Sequence, residues 1–135
     1  MTGLSHVQLF VSDVGKSAEW YTAALGLELY ASDLDIGYVA LRHRGAHVVI
    51  VLTTRPGSEH GDSDLRATVK TTTASESLDH LAFAVTDGVA LRAWADHLTK
   101  IGVDHPGVMI ENDNPSLQLR DPDGVAIELV APHPH

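Results

Sequence analysis

Apolar and polar residues alternate with period two across "LSHVQLFV", residues 4–11, and again across "LDHLAFAV", residues 78–85. Such alternation predicts a strand with one face buried. Each strand ends at an aspartate, Asp13 or Asp87, placed to accept hydrogen bonds from the first turn of a helix. Helices are then predicted over 14–25 and 88–101. Ala18, Tyr21, Ala24 and Leu25 form the apolar stripe of the first; Val89, Leu91, Trp94, Leu98 and Ile101 form that of the second. Gly26 and Gly102 follow, where a left-handed residue closes a helix. Three extended segments come next in each half, 27–33, 36–43 and 46–53, then 103–110, 115–121 and 125–130. The turns before the last strands are "HRGA" at 43–46 and "DPDGV" at 121–125, the latter with a Pro and an Asp-Gly pair.

The pattern is therefore written twice. A shift of 74 pairs Leu4 with Leu78, His6 with His80, Val11 with Val85, Asp13 with Asp87, and the two tryptophans, Trp20 and Trp94. A fixed-period repeat is the first thing to settle, because it dictates the architecture. The order is βαβββ, linker, βαβββ: an α+β chain of one domain with modules at 1–54 and 77–132 joined by a polar stretch at 55–76.

Composition narrows the chemistry. The chain has 135 residues, 44% hydrophobic, with formal net charge -9 and no cysteine. An acidic chain lacks the basic face of a nucleic-acid binder, and without cysteine there is no disulfide, zinc–thiolate site or thiol nucleophile. The longest clean apolar run, Val48–Leu52, is far too short to span a bilayer. The expectation is a cytoplasmic protein without membrane or nucleic-acid partners.

Paired βαβββ modules, a histidine opening the first strand of each, and "RDPDGVAIEL" closing the second resemble the vicinal oxygen chelate superfamily. It includes glyoxalase I, extradiol dioxygenases, fosfomycin-resistance transferases, methylmalonyl-CoA epimerases and bleomycin-binding proteins. The resemblance covers nearly the whole chain. It implies a curved mixed sheet with helices outside, a small-molecule substrate, a homodimer, and metal ligands at His6, His80 and Glu128. Alternation agrees with that set. His6, Gln8 and Phe10 share one side of their strand, His80, Ala82 and Ala84 one side of theirs, and Glu128 points away from Ile127 and Leu129. Two imidazoles and one carboxylate with open positions suit Fe(II) first and Mn(II) next.

Members similar to glyoxalase I carry a fourth, carboxylate ligand where this chain has Val51. Valine cannot ligate, which weighs against glyoxalase I and epimerase chemistry. Fosfomycin-type transferases need a cationic cluster for a phosphonate, and Arg120 is the only cation in "ENDNPSLQLRDPDG". The extradiol dioxygenases match best, with His47 near the place of their acid–base histidine. His47 has two open readings, proton transfer in the site or capping of the turn at Gly45. The dioxygenases place a tyrosine where this chain has Gln118, which hydrogen-bonds but cannot transfer a proton. Tyr38, Arg42, Gln118 and Arg120 are candidate substrate-binding residues; the two arginines, at equivalent places, read equally as sheet-edge surface. The alternative functions are a glyoxalase- or fosfomycin-resistance-like lyase or transferase, or a bleomycin-resistance-like binding protein without chemistry. Trp20 and Trp94 read as helix–sheet core. His43, His60, His97, His105, His133 and His135 have no assigned role.

Overall fold

The structure is a computed structural model that describes residues 1–54, 77–111 and 113–132. The linker at 55–76, with His60 and Lys70, and the tail histidines His133 and His135 lie outside the described residues. The chain divides into two compact units, Met1–Thr73 and Ala74–His135.

The first module runs β1 (His6–Phe10), α1 (Val14–Leu25), β2 (Glu28–Asp33), β3 (Tyr38–Arg42) and β4 (Val49–Thr53). Its sheet order is β1-β4-β3-β2. β1 runs parallel to β4, and the other pairs are antiparallel. The second module repeats this with β5 (Leu81–Ala84), α2 (Gly88–Lys100), β6 (Met109–Glu111), β7 (Asn114–Arg120) and β8 (Ala126–Val130), in the order β5-β8-β7-β6. The expected tandem βαβββ arrangement is thus present, as two four-stranded mixed sheets.

Both helices start as predicted. The Asp13 and Asp87 carboxylates accept hydrogen bonds from Lys16 N at 3.0 Å and Ala90 N at 2.8 Å. Gly26 and Gly102 are left-handed, at φ 68° and 80°, where only glycine sits without strain. The buried stripes differ from those predicted. In α1 the buried residues are Val14, Ser17, Tyr21, Ala24 and Leu25, with Ala18 only half-buried. In α2 they are Leu91 and Leu98; Val89 and Ile101, at the helix ends, are exposed. Both tryptophans are half-buried instead of lying in the core. Trp20 meets Tyr21 edge-on and Trp94 meets His97 likewise.

Each helix covers one face of its own sheet. Val7, Leu9, Val39, Leu41, Ile50 and Leu52 line that face in the first module. Leu81, Phe83, Leu117, Leu119, Ile127 and Leu129 do so in the second. The stretch 103–108, expected as strand, is irregular. His105 holds it: Nδ1 accepts from Gly107 N at 3.1 Å, and Nε2 lies 3.1 Å from the Ala95 carbonyl and 2.8 Å from Thr99 Oγ1. An imidazole there replaces the ladder bonds that Pro106 and Gly107 disfavour.

Candidate functional site

The face of each sheet away from its helix carries the predicted residues, and cross-strand register shows how they match. In the second module Ala82, Glu128 and Gln118 are directly paired across β5, β8 and β7. In the first, Gln8, Val51 and Ala40 form the corresponding row across β1, β4 and β3. Val51 is therefore the positional counterpart of Glu128, as the sequence alignment implied. Val51 is 5% exposed, so the first module has an apolar residue, closed off from water, where the second has a carboxylate.

His80 stands immediately before β5. Its Nε2 lies 3.2 Å from Glu128 Oε2, and its Nδ1 lies 2.6 Å from Asp79 Oδ2. The Glu128 side chain is only 13% exposed and that of His80 44%. The two side chains thus stand side by side at the edge of the sheet face, the carboxylate nearly buried and the imidazole half-exposed. Among the described residues no three His, Asp or Glu side chains are grouped so as to hold a metal ion. His6, in the first module, opens β1 with its ring exposed, and its Nδ1 lies 3.0 Å from Ser5 Oγ. Behind it, Gln8 Nε2 donates to Thr53 Oγ1 at 3.2 Å.

The other candidates fall as follows. Arg42 lies in the row of His6 and Val49. Its guanidinium sits 4.9 Å from the centre of the Tyr30 ring. A register shift between Leu29 and Ala31 makes Tyr30 the extra residue of a bulge, and so brings that ring under the arginine. Tyr38 is half-buried in the row of Phe10 and Thr53. Gln118 is half-buried beside Glu128.

Arg120 is exposed and donates from a guanidinium nitrogen to Gly124 O at 3.0 Å. That bond joins it to the "DPDGV" turn. The turn is organised from within by the buried Asp121, whose Oδ1 accepts from Asp123 N at 2.9 Å and Val125 N at 2.8 Å. Much of the "RDPDG" signature is thus hairpin architecture, setting where β8 and Glu128 begin.

His47 lies outside the strand it was expected to open, in a bend two residues before β4, and is exposed. It does not cap the turn at Gly45. His43 does, its Nδ1 accepting from Gly45 N at 3.1 Å. Asp79 and Ser5, which touch the two histidines, had no place in the expectations. Their one signal was a hydrogen-bonding side chain directly before each histidine of the duplicated phrase.

Comparison with known proteins decides the family. The model of the Glyoxalase/Bleomycin resistance protein/Dioxygenase superfamily matches residues 3–129. The chain belongs to that superfamily. No curated protein sequence matches it. Among solved structures, a glyoxylase/bleomycin resistance protein/dioxygenase domain from Frankia sp. EAN1pec is 26% identical, with TM-score 0.75, over 98% of this chain and 93% of that one. TnmS3, an antibiotic binding protein from Streptomyces sp. CB03234, is 22% identical, with TM-score 0.73, over 98% of both chains. Lactoylglutathione lyase from Agrobacterium tumefaciens is 15% identical, with TM-score 0.74, over 97% of this chain and 94% of that one. These superfamily members share the fold while differing in what their names describe, so the function here rests on the site.

The donors of the second module fit a divalent cation. One imidazole nitrogen and one carboxylate oxygen stand 3.2 Å apart. That spacing suits two ligands of one ion, each bonded at about 2.1 Å.

Proposed function

We propose that this superfamily member is a divalent-metal enzyme acting on a small molecule that chelates through vicinal oxygens. His6, His80 and Glu128 are its ligands. Superfamily members generally use a divalent metal. The observation that carries the reading is the His80–Glu128 pair, set against Val51 at the matching position of the other module. That contrast supports three protein ligands with positions left for substrate, and it weighs against the four-ligand arrangement. Two histidines and one carboxylate favour Fe(II), then Mn(II). The two modules act as one domain, and a homodimer is the expected assembly.

When bound, the ion supplies Lewis acidity or one-electron chemistry to the chelated oxygens. The chain's own residues do the rest. The nearly buried Glu128 carboxylate and the His80 Nε2 hold one side of the site. Gln118, paired with Glu128 across β7 and β8, offers an amide that donates to or accepts from a substrate oxygen but moves no proton. Proton transfer falls to the exposed imidazole of His47. Tyr38 contributes a hydroxyl. Arg42 and Arg120 supply positive charge, each already engaged, by the Tyr30 ring and the Gly124 carbonyl.

The first activity to test is extradiol-type ring cleavage. Anaerobic reconstitution with Fe(II) or Mn(II), followed by oxygen uptake against a panel of catechols, should show uptake that depends on metal and on Glu128. A second reading, a ligand-binding protein without chemistry, draws on two features: the likeness in fold to an antibiotic-binding protein, and the exposed small residues Ala82 and Ala84 on the face of Glu128. It predicts saturable ligand binding, without turnover, in metal-free protein.

A further inference from the structure

The duplicated phrase carries a second regularity. The residue directly before each histidine places a side-chain oxygen on the imidazole Nδ1: Ser5 on His6 at 3.0 Å and Asp79 on His80 at 2.6 Å. Both contacts engage the same nitrogen and leave Nε2 for other work. On His80 that other nitrogen faces Glu128. The two partners differ in chemistry. An ionised aspartate only accepts, so the Asp79 contact requires the proton on Nδ1. A serine hydroxyl either donates or accepts, so Ser5 orients the His6 ring without choosing its tautomer.

We infer that Asp79 is a positioning residue for His80, holding its Nδ1–H so that the Nε2 lone pair is directed to the point shared with Glu128. The inference rests on the metal-ligand reading of His80. It assigns to Asp79 the tautomer-fixing duty that a carboxylate performs for a ligating imidazole. Asp79 is 97% exposed and bonded to its own neighbour in sequence, so its removal leaves the packing of the module intact. The two modules thereby hold their histidines unequally, tightly fixed in the second and loosely in the first.

The test is titration calorimetry of the full chain with Mn(II) and with Zn(II). It compares wild type with Asp79→Ala, Ser5→Ala, His80→Ala and Glu128→Ala. Asp79→Ala should weaken metal affinity by about 10–100-fold, and Ser5→Ala by less, with unchanged unfolding midpoints. Histidine side-chain NMR of the Zn(II)-loaded protein gives a readout that a merely structural role would not move. Wild type should show a slowly exchanging His80 Nδ1 proton that Asp79→Ala loses. Wild-type affinity in Asp79→Ala, with binding lost in His80→Ala, would overturn the inference and leave the metal reading standing. Unchanged affinity in both His80→Ala and Glu128→Ala would overturn the metal reading and this inference with it.

Discussion

The two modules share a strand order, a register and helix caps, yet they differ at the centre of the sheet. At one row the second module has Ala82, Glu128 and Gln118; the first has Gln8, Val51 and Ala40. One copy has a carboxylate on its central strand and the other a sealed valine. In the proposed ligand set the copy with the carboxylate supplies His80 and Glu128, and the other supplies His6 alone. A duplicated scaffold can therefore specialise by one residue, because each central strand is already held by two neighbours.

The sharpest way to break that contrast is to write the second copy's carboxylate into the first. Val51→Glu should lower stability by several kcal/mol, on the order of 3–5, because the charge enters a site closed to water without a partner. The shift in urea midpoint measures it. Leu52→Ala and Leu129→Ala remove equivalent helix-facing leucines on β4 and β8, buried in both modules. Each should cost about 2–5 kcal/mol in the same assay. Similar losses would mean that the modules differ in chemistry but not in packing.

Asp121→Ala strips two backbone donors of the β7–β8 turn of their acceptor. The expected loss is about 1–3 kcal/mol, and faster amide exchange at Asp123 and Val125 would locate it. Asp13→Ala and Asp87→Ala should each cost about 1 kcal/mol, similarly in the two modules, since each carboxylate accepts from the backbone N–H three residues on. The smallest effect is expected at Glu128→Val, within about 1 kcal/mol of wild type in metal-free protein. A nearly buried carboxylate contributes little to folding when its alternative is an apolar residue.

Much of the scaffold was legible in the sequence, because period-two alternation and aspartate caps are local signals. The faces of β1 and β5 and the start of both helices follow from them. Signals fail where elements end. Val89 and Ile101 fit the helical stripe but lie at the two ends of α2, where both are exposed. His47 fits the alternation of β4 but precedes the strand, where alternation no longer governs direction. The same limit hid the Asp79–His80 contact. Neighbours inside a strand face opposite ways, but these two stand just before β5, where the chain is free to bring them together. Register matches Val51 with Glu128, as the family resemblance implied and the 74-residue shift does not, since that shift sets Glu128 against Thr54; the ligand set of His6, His80 and Glu128 is the proposal.

Metal content decides that directly. Protein purified without chelators, loaded with Fe(II) or Mn(II) and desalted, should retain about one ion per chain or per shared site by elemental analysis, and His6→Ala, His80→Ala and Glu128→Ala should each lose most of it. Full retention of metal by all three variants would contradict the proposed ligand set.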